Sequence, residues 1–159
     1  MKSNTYEVVS GQSAQTESFA ERIGRRLRGG EIIELQGDVG AGKTTFVRGL
    51  TKGIGSSDRV SSPTFTIYQV YKSESMTLYH YDFYRIDDTE IIANELKEIA
   101  ELSNTSVVLE WSDAVKSVLP KDHITIRLVP TGEESRKITV VVPDKFSYIV
   151  ENENADTDN

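Results

Sequence analysis

Residues 37–45 read Gly-Asp-Val-Gly-Ala-Gly-Lys-Thr-Thr. From Gly37 to Thr44 the stretch fits the phosphate-binding loop pattern, Gly-x-x-x-x-Gly-Lys-[Ser/Thr]. Ile32-Ile33-Glu34-Leu35 before it is a short apolar run with β-branched residues, the mark of a buried strand. After it, Thr44 to Ile54 sets Phe46, Val47 and Leu50 on one side of a predicted helix. A strand, a glycine loop and a helix make an anion site: the loop N–H groups turn inward, and the helix N-terminus adds partial positive charge. Lys43 is expected to reach the β- and γ-phosphates, and the Thr44 hydroxyl to take a place on Mg²⁺.

Working outward, Tyr6-Glu7-Val8-Val9 reads as a first strand. Phe19, Ile23 and Leu27 recur every four residues, so Ala14–Arg28 reads as an amphipathic helix capped by Ser13 and ended by Gly29-Gly30. Gly53 and Gly55 close the helix after the phosphate loop. Phe65–Tyr71 and Met76–Tyr84 read as a hairpin about the polar turn Lys72–Ser75. Thr89–Leu102 carries Ile92, Leu96 and Ile99 at helical spacing. Val107-Val108-Leu109 is a further buried strand, a short helix spans Ser112–Val118, and Ile124–Val129 with Lys137–Val142 form a second hairpin. A phosphate-loop unit implies parallel strands covered by helices, whereas hairpins add antiparallel ones. The expected fold is therefore a three-layer α/β domain of the P-loop NTPase kind, with a mixed sheet.

With 159 residues, 37% of them hydrophobic and 27% charged, the chain suits one globular domain over residues 1–150. Of the net charge of −7, four negative charges fall in residues 151–159, a segment without a base and expected to be a disordered acidic tail. The acidic body argues against strong direct nucleic-acid binding, which relies on a basic surface. The absence of cysteine excludes disulfides, thiolate metal sites and cysteine nucleophiles, and suits a reducing compartment. Met1–Glu7 has no apolar stretch of signal-peptide length, and no run approaches the roughly 20 apolar residues of a membrane helix. A cytoplasmic protein is expected.

A phosphate loop needs an acid near Mg²⁺, usually at a strand end. Two candidates stand out: Asp82, ending Leu78-Tyr79-His80-Tyr81-Asp82, and Glu110, ending Val107-Val108-Leu109-Glu110. Strand alternation puts His80, Asp82 and Tyr84 on one face and Tyr79, Tyr81 and Phe83 on the other. His80 reads either as a hydrogen-bonded sheet histidine or as a group orienting a carboxylate or water near Asp82. Ser61-Ser62-Pro63-Thr64 stands where nucleotide switches sense a γ-phosphate, and is equally an ordinary Ser/Pro turn. Trp111 is core or lies by the nucleotide. Arg85, Arg127 and Arg136 are candidate phosphate partners. No Asn-Lys-x-Asp guanine-reading motif occurs.

Taken together, Gly37–Thr45, Ser62-Pro63-Thr64-Phe65, Leu78–Arg85 (Leu-Tyr-His-Tyr-Asp-Phe-Tyr-Arg) and Leu109-Glu110-Trp111 resemble the bacterial TsaE (YjeE/YdiB-like) proteins, in order and spacing, across roughly residues 6–142. These are small P-loop ATPases of tRNA threonylcarbamoyladenosine biosynthesis. The resemblance implies ATP on Gly37, Asp38, Val39, Gly40, Ala41, Gly42, Lys43, Thr44 and Thr45, with Thr64 in a switch-like loop and Trp111 close by. It implies Mg²⁺ on Thr44, Asp82 and Glu110, and catalysis by Lys43, Asp82 and Glu110. It further implies a TsaD-like transferase and a TsaB-like subunit as partners, with tRNA met only through that complex, and weak ATPase activity that the partners stimulate. The segment Glu90–Ala100 departs from the family pattern, lacking its usual Leu-Gly. A small-molecule kinase is the alternative enzyme reading, and a non-hydrolysing nucleotide sensor the alternative without turnover.

Overall fold

The structure is a computed structural model, and it describes residues 2–63, 68–84 and 89–151. Along the chain run β1 (Ser3–Ser10), α1 (Ser13–Arg26), β2 (Ile32–Gln36), α2 (Lys43–Gly53), β3 (Tyr68–Lys72), β4 (Thr77–Asp82), α3 (Thr89–Ala100), β5 (Thr105–Glu110), β6 (Ile124–Pro130) and β7 (Arg136–Pro143). Two 3-10 helices follow β5 and β7, at Ser112–Val118 and Asp144–Val150. The strands form one sheet in the order β1-β7-β6-β2-β5-β4-β3. Its centre is parallel, β6-β2-β5-β4, and antiparallel strands β3, β7 and β1 complete it on either side. The mixed α/β sheet is the one the sequence implies.

Both faces are covered, which is why β2 and β5 are buried almost throughout. Ile33 and Leu35 face α1 and α2 with Phe19, Ile23, Phe46 and Leu50. Ile32, Val107 and Leu109 face Ile92, Leu96 and Ile99 of α3. The two helices on the first face approach backbone to backbone. A Cβ on Gly49 would stand 2.3 Å from the Glu17 carbonyl oxygen, and one on Gly53 2.3 Å from that of Glu21. Gly53 is thus the last residue of α2 and a packing position, while Gly55, with φ +89°, closes the helix.

Several boundaries differ from the sequence reading. Ser13 is the first residue of α1; Gln12 takes the capping position and makes no side-chain cap bond. The helix stops at Arg26 because Leu27 is already extended, two residues short of Arg28. β1 is longer than expected, since eight residues pair in register with β7. The helix expected to run to Leu102 ends at Ala100. Thr64 and the strand residues expected at 65–67 lie outside the described residues, as do Arg85 and tail residues 152–159.

The 3-10 helix at Asp144–Val150 went unread in the sequence. It is tied to the sheet by a buried carboxylate. Glu31, fully buried, accepts bonds from the Arg28 and Gly29 N–H groups at 2.8 Å each, from the Ser106 hydroxyl at 2.7 Å, and from the Tyr148 hydroxyl. Four donors satisfy a charge that would otherwise be costly to bury.

Candidate functional site

β2 delivers the chain to the C-terminal edge of the parallel strands, and α2 starts after a loop of six residues, 37–42. Gly40 and Gly42 take φ +82° and +101°, backbone that L side chains rarely adopt. Gly37 is fixed for another reason: a Cβ there would meet the Ala41 Cβ at 3.0 Å and the Leu128 carbonyl at 3.1 Å. The loop closes on itself through Ala41 N–H to the Asp38 carbonyl at 3.0 Å.

A cavity of about 380 Å³ opens over this loop. Val39, Gly40, Gly42, Lys43, Thr44 and Thr45 line its floor. Ser62, Asp82, Glu110 and Trp111 form one wall, and Ser13, Thr16, Glu134 and Arg136 the other. Gly37 and Asp38 instead border a neighbouring hollow of about 430 Å³ that also takes in Arg127 and Trp111. Ala41 is fully buried beneath the loop. The structure thus brings the catalytic candidates Lys43, Asp82 and Glu110 to one cavity, with Trp111 beside them.

Lys43 is 7% exposed. Its ammonium lies 3.9 Å from Glu110 Oε1 and 3.7 Å from the centre of the Trp111 ring. Burial lowers its pKa, and the Glu110, Asp82 and Asp38 charges push back. Trp111 reaches this place through a φ of +55°, an uncommon backbone state for a bulky residue. Asp82 ends β4 in register with Glu110 at the end of β5. It accepts a bond from the Tyr84 N–H at 3.0 Å and one from the Ser62 hydroxyl at 3.5 Å. Glu110 is 3% exposed, and its Oε2 meets His80 Nε2 at 2.5 Å. His80 is thus a buried, hydrogen-bonded histidine within the sheet, and the carboxylate it meets is Glu110 and not Asp82.

Arg136 is the residue whose role the sequence concealed. Its Nε donates to the Ala41 carbonyl at 2.8 Å and its Nη2 to the Gly40 carbonyl at 3.1 Å. Nη1 holds the hairpin's own carbonyls, Ser135 at 2.8 Å among them. Four of its five N–H groups therefore serve carbonyls, so it clamps the loop rather than standing free for a phosphate. The partners are some 95 positions apart, and no local pattern announces them.

The donor set suits a small hard cation that shares its shell with phosphate oxygens. Among the described residues no group of three or more His, Cys, Asp or Glu side chains gathers to hold a metal alone. One hydroxyl at Thr44 and two carboxylates around a single cavity match the few protein ligands that Mg²⁺ takes beside a nucleotide.

The TsaE family model, described as threonylcarbamoyl adenosine biosynthesis protein TsaE, matches residues 10–138. A tRNA threonylcarbamoyladenosine biosynthesis protein TsaE of Treponema pallidum is 37% identical over 132 residues, 83% of this chain and 97% of that one. The protein of the same name from Bacillus subtilis is 33% identical over 138 residues, 86% of each chain. The crystal structure of Bacillus subtilis YdiB superposes with a TM-score of 0.77 at 27% identity, covering 100% of this chain and 99% of its own. Among the described residues no helix is long and apolar enough to cross a membrane.

Proposed function

This chain belongs to the TsaE family of threonylcarbamoyl adenosine biosynthesis proteins, and on that premise we propose that it is a Mg²⁺-dependent ATPase whose cycle serves tRNA threonylcarbamoyladenosine formation. One observation carries the reading: a buried lysine and two carboxylates converge on a single cavity at the N-terminus of α2.

In this mechanism the loop N–H groups and Lys43 bind the β- and γ-phosphates of ATP, and the α2 N-terminus adds its dipole. Thr45 sits one residue deeper on the same helix turn. Thr44 and Asp82 would hold Mg²⁺, which would supply positive charge to offset that of the phosphates. Asp82, half-buried and hydrogen-bonded to Ser62, suits a cation that keeps several waters. Glu110, buried and fixed by His80, suits orientation of the attacking water. Water adds to the γ-phosphorus, the bond to the β,γ-bridging oxygen breaks, and ADP and phosphate leave. Positioning and electrostatics supply the rate.

The ATP cycle would time a TsaD-like transferase held with a TsaB-like subunit, in the cytoplasm, with tRNA met only through that complex. The test is phosphate release with and without the partner complex, in wild type and in Asp82→Ala and Glu110→Ala. Low turnover alone, stimulation by the complex and loss in both variants are expected. Equal turnover with and without the complex would sink the timing role; unchanged ATP affinity in Lys43→Ala would sink the nucleotide assignment.

A further inference from the structure

Behind the cavity wall lies a series of buried polar side chains of which the mechanism above uses only the His80–Glu110 contact. Tyr71 on β3 and His80 on β4 are 2% and 0% exposed, and neither borders the cavity. Tyr71 Oη lies 3.1 Å from His80 Nδ1, and His80 Nε2 lies 2.5 Å from Glu110 Oε2. Three neighbouring strands thus contribute one polar group each to a line that ends at the cavity. Apolar residues of the same size would fill this space without the desolvation cost. Other oxygens crowd the same hydroxyl. The Tyr71 hydroxyl stands 3.0 Å from Gln69 Oε1 and 3.3 Å from the Ser61 carbonyl, and Gln69 Nε2 is 3.1 Å from Ser61 Oγ. Ser61 adjoins Ser62, whose hydroxyl reaches Asp82.

The protons along this line follow from valence. An ionised Glu110 only accepts, so His80 Nε2 carries the hydrogen between them. With that hydrogen on Nε2, Nδ1 is left to accept, and giving it the single Tyr71 hydrogen leaves none for the Gln69 and Ser61 oxygens beside the hydroxyl. Burial, with the Glu110 and Asp58 charges adding to it, pushes the Tyr71 hydroxyl up to about 12, so it keeps its proton at neutral pH. A carboxylate held this way at Oε2 has its other oxygen, Oε1, on the side of Lys43.

We propose that Tyr71 and His80 are positioning residues, Tyr71 donating to His80 Nδ1 and His80 Nε2–H to Glu110, a relay that fixes the Glu110 carboxylate toward Lys43 and the cavity. Its kinetic consequence rests on the ATPase reading; its hydrogen-bond pattern does not.

Two measurements test it separately. The chain has two histidines, so the imidazole ¹⁵N spectrum of a His123→Gln variant reports His80 alone. The expected spectrum is an Nε2–H tautomer with a far-downfield, hydrogen-bonded proton, and an Nδ1 resonance that moves toward a free lone pair in Tyr71→Phe. An Nδ1–H tautomer, or an Nδ1 unmoved by Tyr71→Phe, overturns the relay. In steady-state phosphate release, Tyr71→Phe should lower kcat by roughly 3- to 10-fold and His80→Leu by about 100-fold, as loss of an oriented polar contact does. KM and the ATP affinity from equilibrium dialysis should stay within about twofold, because the residues act only through Glu110. His80→Gln, which retains an amide donor, should recover part of the His80→Leu loss. Wild-type kcat in both Tyr71→Phe and His80→Leu overturns the positioning role, as does a loss confined to KM. A wild-type protein that binds no ATP in dialysis overturns the ATPase reading instead, and the ¹⁵N spectrum still decides the relay.

Discussion

Asp82 and Glu110 stand opposite one another in register at the ends of β4 and β5, so neighbouring parallel strands present two carboxylates to one lysine. Their surroundings differ, and so should their losses. Asp82→Asn is expected to raise the Mg²⁺ concentration needed for half-maximal phosphate release by about 10-fold, since it removes a charged ligand. Glu110→Gln should leave that requirement alone and lower kcat by roughly 100-fold or more. A Mg²⁺ titration of both variants checks the division; interchangeable profiles would refute it.

Lys43→Ala should weaken ATP binding by at least about 10-fold, through loss of the one buried cation at the phosphates. Trp111 provides the readout, because the lysine ammonium sits 3.7 Å over its ring and it is the chain's only tryptophan. Nucleotide should change the Trp111 emission in wild type and not in Lys43→Ala at the same concentration.

Arg136→Lys should behave almost like Arg136→Ala. A lysine cannot span the Gly40 and Ala41 carbonyls while also holding the hairpin, since it lacks the planar fork. Both variants should bind ATP several-fold more weakly, with melting temperatures close to wild type. Dialysis beside a thermal melt checks this, and full ATP affinity in Arg136→Lys would show that charge alone suffices.

Gly49→Ala should destabilise the fold by about 2 kcal/mol or more, as an overpacked core position does. The added carbon would lie 2.3 Å from the Glu17 carbonyl and 2.5 Å from the Ala20 Cβ, so α1 and α2 must separate. Urea unfolding measures the loss. An unchanged midpoint would mean that the helices shift apart at no cost.

Stability should also depend on pH through Glu34 and His123. His123 Nε2 lies 2.8 Å from Glu34 Oε2, and the Ser112 hydroxyl donates to Glu34 Oε1 at 2.8 Å. The His123 bond, aided by Gln36 and Ser112, brings Glu34 down to about 2 against its burial, while the same bond raises His123. The Glu34 contribution is whole above its unfolded value near 4.3 and is lost as pH falls toward about 2. That of His123 is whole below its unfolded value near 6.5 and is lost as pH rises through its elevated folded value. The difference in melting temperature between wild type and His123→Gln should therefore be largest between about pH 4.5 and 6.5. A difference independent of pH would refute the coupling.

The parts legible in the sequence were those whose signal is local. Gly37–Thr44 announced the phosphate loop, Phe19, Ile23 and Leu27 the helix α1, and Val107–Leu109 the strand β5. Boundaries moved where a distant partner decided them: β1 runs to eight residues because β7 pairs with all of it. The buried carboxylates were hidden for the same reason. Glu34 within Ile-Ile-Glu-Leu looks like one polar side chain facing water, yet the partner that lets it be buried, His123, is 89 positions away. Glu31 depends likewise on Ser106 and Tyr148. His80 was noticed, but Tyr71 gave no sign, since a tyrosine in a strand is usually just a good β-former.

The glycine-to-backbone contact of α1 and α2 also decides how the cavity can answer its contents. α2 begins at Lys43, and at Gly49 and Gly53 its backbone comes directly against that of α1, so a roll or slide there would press backbone on backbone. The loop above it is held to the sheet by Arg136. The floor and the Arg136 side are consequently an anvil. The opposite wall carries Ser62 and Asp82, joined by a 3.5 Å bond, with Asp82 also held by the Tyr84 N–H at 3.0 Å. On the proposed ATPase reading, a difference between triphosphate and diphosphate would be sought on that side.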